Sequence, residues 1–192
     1  MKIAMVGAGY VGLVTATCLA ELGNDVICVD RDHGRIAVLQ AGGLPIFEPG
    51  LDDLVQRNRS GERLRFTTSM AVAVRHAEVV FIAVGAPPQE DGSADLQHVL
   101  AVAVQIGQHI TDFKVVLNKS TVPVVTGRLV EQALRSALAD RTLSHLDFAV
   151  VSNRRSQVHF GTHDCLASNT RSPRPQIMSN NDGLVKPLCG TR

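Results

Sequence analysis

Three glycines at fixed spacing are the residues of this chain whose pattern points most directly to chemistry. Gly7, Gly9 and Gly12 form a G-x-G-x-x-G pattern directly after a short apolar stretch, Lys2–Val6. The first glycine permits a tight turn, the second leaves room for a ligand beside the backbone, and the third lets a following helix pack close to the strand. Free N–H groups at a helix N-terminus attract phosphate. The pattern predicts a turn that binds the pyrophosphate of a dinucleotide.

An acidic residue follows at the distance that such a site needs. Asp30 comes at the end of a second apolar stretch, Asp25–Val29, 18 residues beyond Gly12. A carboxylate there accepts hydrogen bonds from the adenosine ribose and repels a 2′-phosphate, which favours NAD over NADP. Arg31 and Arg35 leave NADP open as an alternative, because arginine near this point accepts a 2′-phosphate. A plain tight turn without ligand, with Asp30 merely solvated, is the other alternative.

These residues must be positioned by strands that alternate with helices. Apolar runs predict strands over 2–6, 25–29, 64–67, 78–84, 114–118 and 147–151. Helical patterns, with Pro49 as a helix start and Ser69 and Asp95 as caps, cover 10–22, 33–40, 49–58, 70–76, 96–109 and 125–139. This alternation predicts an α/β fold with a doubly wound parallel sheet, Rossmann-like, over residues 1–153.

Further loops are expected at the same edge of the sheet. Ligands bind beyond the carboxyl ends of strands in such a fold, where the segments 85–96 and 119–123 lie. The hydroxyls of Ser120 and Thr121 could contact the cofactor or cap the next helix, and composition leaves both open. The connection 44–51 is expected to be structural.

Composition excludes several functional classes. The 192 residues are 45% hydrophobic and 19% charged with a formal net charge of +1, so neither global disorder nor a charge-driven nucleic-acid role is expected. Tyr10 is the only tyrosine and tryptophan is absent, which speaks against base stacking. No apolar run is long enough for a membrane span, and no signal peptide is expected.

The cysteines and histidines show no metal-binding pattern. Four cysteines lie without CxxC spacing, so we expect no metal site, reduced thiols with Cys18 and Cys28 in the core, and a cytoplasmic protein. The five histidines before residue 153 are expected at the surface, His98 among them.

The composition changes after Asn153. Residues 154–192 carry six basic and two acidic side chains and are rich in Ser, Asn, Thr, Pro and Gly, without helical or strand periodicity. They are predicted to form an irregular or disordered tail. The dispersed charges favour a solvated tail over a nucleic-acid arm.

The first 153 residues resemble the UDP-glucose 6-dehydrogenase family, within the UDP-glucose/GDP-mannose dehydrogenases. The matching segments are MKIAMVGAGYVGLVTATCLAELGNDVICVD, LPIFEPGLDDLV, AEVVFIAVGAPPQEDGSADLQHVL, NKSTVPVVTG and FAVVSN. The resemblance implies oxidation of the C6 alcohol of UDP-glucose to a carboxylate by two hydride transfers to NAD, through a thiohemiacetal on a cysteine.

The resemblance also implies roles for individual residues. The glycine turn with Tyr10 and Val11 would hold the pyrophosphate, and Asp30 with Arg35 the ribose. Ala86, Ser120 and Thr121 would line the nicotinamide side, and Thr121 would also position the hydrolytic water. The set of implied cofactor-binding residues is therefore Gly7, Gly9, Tyr10, Val11, Gly12, Asp30, Arg35, Ala86, Ser120 and Thr121.

Three departures from the family pattern qualify this expectation. Ala86 stands where the family usually has threonine, and Val125 where it usually has glycine. After Asn153 the family continues PEFLKEG, whereas this chain reads RRSQ. The expected glutamate, central helix, nucleotide-sugar domain and nucleophilic cysteine are missing, and the settings of Cys165 and Cys189 do not match that nucleophile.

The break at residue 153 leads to two hypotheses. A frameshift or misassembled reading frame would explain it, and the encoding DNA read in its other frames tests this. Alone, the chain is expected to be inactive towards UDP-glucose, and the alternative to an enzyme is a non-catalytic NAD-binding fragment. Family members oligomerise through the missing central helix, so oligomerisation through that helix is not expected here, and the oligomeric state stays open.

Overall fold

The protein forms one parallel sheet covered by helices on both faces. A computed structural model describes residues 1–87, 89, 94–120 and 126–152. Its strands are β1 (Lys2–Val6), β2 (Asp25–Val29), β3 (Leu64–Thr67), β4 (Val79–Ile82), β5 (Lys114–Asn118) and β6 (Phe148–Ser152). Its helices are α1 (Tyr10–Glu21), α2 (His33–Ala41), α3 (Leu51–Ser60), α4 (Met70–His76), α5 (Gln97–His109) and α6 (Thr126–Ala139).

The strand order confirms the predicted doubly wound fold. The order is β3-β2-β1-β4-β5-β6, and every neighbouring pair is parallel. In β1, Met5 lies beside Cys28 of β2 on one side and Phe81 of β4 on the other. The chain therefore moves outward from β1 to one edge, then returns to start the other half beside β1. A crevice for ligands forms at this reversal.

The sheet separates two hydrophobic cores. Ile3 and Met5 of β1 belong to the cluster that includes Leu13 of α1, while Ala4 and Val6 belong to the cluster on the opposite face. Successive strand residues point to opposite faces, so a strand buried on both sides must be apolar throughout. This explains the uninterrupted apolar character of β1.

Two helices begin later than their sequence signals predict. The third helix starts at Leu51 and not at Pro49, because Gly50 between them adopts a left-handed conformation with φ +77°. The fifth starts at Gln97, and the Asp95 carboxylate accepts a 2.9 Å hydrogen bond from the Gln97 N–H. The predicted start of the sixth helix, Val125, lies outside the described residues.

A glycine ends the second helix, and the predicted cap of the fourth is present. Gly42 ends α2 in a left-handed conformation with φ +94°. The Ser69 hydroxyl accepts a 3.4 Å hydrogen bond from the Val72 N–H and caps α4.

The cysteine expectation is correct for one residue and wrong for another. Cys28 is a buried free thiol. Cys18 is 5% exposed in the core, as expected, but it takes part in a disulfide, so a reduced thiol is the wrong prediction there. The tail 154–192, with Cys165 and Cys189, lies outside the described residues.

The described residues contain neither a membrane-spanning helix nor a metal-binding cluster. None of the helices found there combines the length and the apolar character that crossing a membrane requires. Within the same residues, no group of three or more His, Cys, Asp or Glu side chains could hold a metal ion.

Candidate functional site

A cavity opens at the carboxyl edge of the sheet, where the loops after β1, β2 and β4 meet. Its volume is about 320 Å³. Gly7 and Gly9 line it from the first loop, and Asp30 and Arg35 from the second. The chain reversal between β1 and β4 thus produces the crevice that the topology predicts.

Gly7 and Gly12 are required by the packing of the glycine turn itself. Gly7 has φ +108°, and a Cβ there would lie 2.7 Å from the Ala83 carbonyl oxygen. A Cβ on Gly12 would lie 1.8 Å from the Gly7 carbonyl oxygen. The tight turn and the close contact of α1 with the strand therefore both depend on the lack of a side chain at these positions.

Gly9 has neither of these reasons to be glycine. Its φ of −72° and ψ of −175° are extended values that any residue adopts. A Cβ at Gly9 would meet no protein atom within 4 Å. The residue lines the cavity, so a side chain would project into space that the chain itself leaves open. Such room beside the backbone fits a phosphate group approaching the main chain.

The N-terminus of α1 also has the chemistry that an anion needs. Gly9 is the N-cap and provides no side-chain cap, and the first turn of α1 contains no acidic residue. The first N–H groups of a helix have no partner within the helix and carry a partial positive charge. The residues present therefore fit a pyrophosphate at this position.

Asp30 joins the turn after β1 to the turn after β2. Its Oδ2 accepts a 2.7 Å hydrogen bond from the Ala8 N–H and a 3.1 Å hydrogen bond from Arg35 Nη1. Its Oδ1 accepts a 3.0 Å hydrogen bond from the Asp32 N–H. The side chain is 10% exposed. Two carboxylate oxygens offer about four lone pairs, so one acceptor position remains beyond these three donors.

The two arginines near Asp30 differ in their contacts. Arg35, 36% exposed, forms an ion pair with Asp30, and its second terminal nitrogen lies 3.9 Å from Asp32 Oδ2. Arg31 lines the cavity, and no ion pair within the described part of the chain engages it. Asp30 is thus partly neutralised from within the chain before any ligand approaches.

The loops after β4 and β5 are tied to one another by Ser120. Its hydroxyl donates a 2.7 Å hydrogen bond to the Val84 carbonyl, and its N–H donates to Asn118 Oδ1 over 3.1 Å. Composition left open whether the Ser120 hydroxyl contacts the cofactor or caps the next helix. In the structure this hydroxyl instead bonds to the loop after β4. The hydroxyl oxygen can still accept a hydrogen bond. Thr121 lies outside the described residues.

Five predicted site residues in the described part of the chain do not line the cavity, Ser120 among them. Tyr10 and Val11 are exposed at the start of α1, and Gly12 is buried behind the turn. Ala86 is half-buried and packs against the core cluster that includes Val80. The cavity therefore brings together Gly7, Gly9, Asp30 and Arg35 from the predicted set.

A face of α5 forms a wall of the cavity that the sequence analysis did not identify. Its residues recur at the spacing of one helical face, i, i+3, i+4 and i+7. They are His98, Ala101, Val102 and Gln105. His98 is exposed, as predicted, yet it faces this cavity. The helical spacing is present in the sequence, but nothing in it tells which face meets the glycine turn.

Ionisable groups around the site are perturbed by burial and by two carboxylates. The Tyr10 hydroxyl donates a 2.8 Å hydrogen bond to Glu48 Oε2, which raises the pKa of Tyr10. Burial raises the pKa of the Cys28 thiol far above its usual range, and the nearby Asp30 charge adds to this. Burial also lowers the pKa of Lys119, which follows β5. Cys28 thus stays a thiol and has no nucleophilic character.

Comparison with known proteins agrees with this geometry. The model of the UDP-glucose/GDP-mannose dehydrogenase family, NAD binding domain, matches residues 1–158. The chain is 53% identical over 153 residues to UDP-glucose 6-dehydrogenase of Pseudomonas aeruginosa, covering 80% of this chain and 34% of that protein. It is 49% identical over 152 residues to UDP-glucose 6-dehydrogenase TuaD of Bacillus subtilis, covering 79% and 32%.

Solved structures show the same relationship. A UDP-glucose dehydrogenase from Pyrobaculum islandicum superposes with a TM-score of 0.73 at 39% identity, over 79% of this chain and 35% of that one. A GDP-mannose dehydrogenase from Pseudomonas aeruginosa, solved as a ternary complex, gives 0.72 at 35% identity, over 80% and 36%. The chain spans about a third of the length of the relatives it matches. It belongs to the UDP-glucose/GDP-mannose dehydrogenase family and comprises that family's NAD binding domain.

Proposed function

We propose that this chain supplies the NAD-binding part of an NAD-dependent UDP-glucose 6-dehydrogenase. The observation that carries the proposal is Gly9, a glycine that neither its backbone angles nor any neighbouring atom requires. Space at this point, in front of the uncapped start of α1, is what a dinucleotide pyrophosphate needs. The relatives with the highest identity given above carry the UDP-glucose 6-dehydrogenase name.

Each part of the cavity has a proposed task. The backbone N–H groups that follow Gly9 bind the pyrophosphate, and Asp30 accepts a hydrogen bond from the adenosine ribose with Arg35 beside it. NAD, when bound, supplies the hydride acceptor for an alcohol. Tyr10, Val11 and Gly12 act through the backbone of the turn.

A second group of residues is proposed for the nicotinamide side. Ala86 and Ser120 place the loops after β4 and β5 there, and Thr121 positions the hydrolytic water of the complete enzyme. Ser120 can fix the loop after β4 through its hydrogen bond to the Val84 carbonyl. The NAD-binding domain is proposed to span residues 1–153, with residues 154–192 outside it.

This chain spans about a third of the length of its relatives. Oxidation of UDP-glucose is therefore proposed for the complete protein. The second candidate, an NAD-binding fragment without catalysis, follows from the same coverage. In that case the cavity binds NAD and no hydride is transferred, since the substrate pocket and the nucleophile are not provided by residues 1–153.

Calorimetric titration of the purified chain with NAD tests the proposal. Saturable binding is expected, together with a raised melting temperature. NAD at a hundred times its Kd should stabilise the fold by about 2.7 kcal/mol. A folded chain that shows neither effect would overturn the proposal. NADH formation from UDP-glucose tests the second candidate, because turnover by this chain would exclude a non-catalytic fragment.

A further inference from the structure

The cavity continues past Asp30 to the wall formed by α5. This part of it has no role in the functions proposed above, which concern the phosphates, the ribose and the nicotinamide side. The inference drawn from it rests on the proposed binding of NAD. In a dinucleotide the base follows the ribose, so a ribose held at Asp30 places its base in the remaining space, on the side away from Gly9.

The walls of this space suit a flat aromatic ring. Val29 lines it from the end of β2, Met70 from the start of α4, and Ala101 and Val102 from α5. Apolar side chains on several sides, with a small number of polar groups between them, are typical of sites that bind a base or another planar ligand.

Gln105 is a polar group on that wall with an unused amide. Its side chain lines the cavity one turn beyond Ala101 and Val102. No hydrogen bond to another side chain or to the backbone engages it within the described part of the chain. A side-chain amide of this kind offers one acceptor oxygen and two N–H donors at adjacent positions.

We propose that Gln105 reads the edge of the purine base and makes the site selective for adenine. Glutamine matches adenine in a bidentate manner, accepting from the N6 amine and donating to N7. Hypoxanthine presents an oxygen in place of the N6 amine. The edge of hypoxanthine therefore carries two acceptors, this oxygen and N7. The amide oxygen of Gln105 has no donor opposite it there, so one of the two hydrogen bonds is lost.

His98 is the other polar side chain of α5 in this wall. It lies seven residues before Gln105, about 10 Å along the helix axis at 1.5 Å per residue. It belongs to the first turn of α5, next to the loop after β4, which is proposed for the nicotinamide side. Gln105 lies two turns further along α5, and the proposal assigns the edge of the base to it.

The test compares NAD with nicotinamide hypoxanthine dinucleotide, which differs from NAD in the base alone. Calorimetric titration of the chain should show about tenfold tighter binding of NAD, from the loss of one bidentate partner. In Gln105→Leu, the two Kd values should agree within about twofold. Leucine is a strong helix former at this exposed position, so the variant should fold, and circular dichroism checks this.

Gln108→Leu is the matched control. It makes the same change on the same helix at an exposed position that does not line the cavity, and the tenfold preference should persist. Equal binding of both dinucleotides by the unchanged chain overturns the inference, as does a preference that survives Gln105→Leu or disappears in Gln108→Leu. Failure of both dinucleotides to bind the unchanged chain contradicts the proposed function instead.

Discussion

The N–H of Ala8 and the carboxylate of Asp30 are joined by a 2.7 Å hydrogen bond, which ties the glycine turn to the acid that follows the neighbouring strand. The geometry of the proposed phosphate site therefore depends on the residue that is proposed to bind the ribose. Substitutions in the glycine turn or at Asp30 are expected to change both the affinity for the cofactor and the stability of the fold, to different degrees.

The first prediction separates two glycines of the same turn. Gly9→Val should cost less than about 1 kcal/mol of stability, because valine is only a poorer N-cap there, yet it should weaken NAD binding at least about a hundredfold by filling the cavity. Gly12→Ala should destabilise by about 3 kcal/mol or more, because its Cβ would overlap the Gly7 carbonyl. Urea unfolding and calorimetry with NAD measure both quantities. A Gly9→Val chain that retains full NAD affinity contradicts the site.

The second prediction concerns the charge at Asp30. Asp30→Asn keeps an acceptor for the Ala8 N–H but loses the charge that repels a 2′-phosphate and pairs with Arg35. The ratio of NADP to NAD affinity should rise by about tenfold, as expected for loss of one hydrogen bond to a charged group. Competition titration of the two cofactors measures it.

Asp32→Asn is the control for that change. It removes one negative charge from the same turn and keeps a residue that caps α2 equally well. The cofactor ratio should stay within about twofold of the unchanged chain. An equal shift in both variants would show that general charge, and not the position of Asp30, sets the preference.

The third prediction uses the single tyrosine of the chain. Because the sequence contains one tyrosine and no tryptophan, an absorbance titration of phenolate formation reports Tyr10 alone. Its pKa should lie above the usual value of about 10, since the hydrogen bond to Glu48 favours the protonated form. A raised folded-state pKa means that this contact stabilises the fold below about pH 10 and is lost as the pH rises through the folded value.

Variants at Glu48 identify the cause of that shift. Glu48→Ala should return the Tyr10 pKa towards its usual value, and Glu48→Gln should return it in part, because an acceptor remains without the charge. Asp52→Asn, an exposed carboxylate in the first turn of α3, should leave the titration unchanged. An unshifted Tyr10 in the unchanged chain is the contradicting result.

The fourth prediction tests a helix cap remote from the cavity. Ser69→Ala should lower the free energy of unfolding by about 1 kcal/mol, because the Val72 N–H loses its acceptor. Ser69→Asp should restore most of it. Ser60→Ala, at the exposed end of α3, should have little effect. Urea denaturation measures all three, and equal losses at Ser60 and Ser69 would speak against capping.

The glycine turn and Asp30 could be predicted from the sequence because each is specified by residues that lie close to it along the chain. Gly7 and Gly12 are fixed by the turn and by the contact with β1, and Asp30 follows a strand that topology places beside it. A fixed spacing along the chain is then enough to locate all three, and the sheet order follows from the alternation of strands and helices.

Other contacts carry no such signal. The hydroxyl of Ser120 bonds to the carbonyl of Val84, a residue of another loop, and a serine near a helix start favours a cap just as well. Gln105 lies on an exposed face of α5, and the packing of α5 against the sheet determines that this face lines the cavity. Both depend on tertiary packing, which local residue patterns do not specify.

The pairing of β1 with both β2 and β4 determines when the sheet can be completed during synthesis. Ile3 aligns with Val26 on one side and with Val79 on the other. β1 therefore waits until about half of residues 1–152 have been translated before its second edge is satisfied. Until then that edge offers unpaired main-chain groups to other chains, and a nascent chain stalled before β4 would be prone to aggregate.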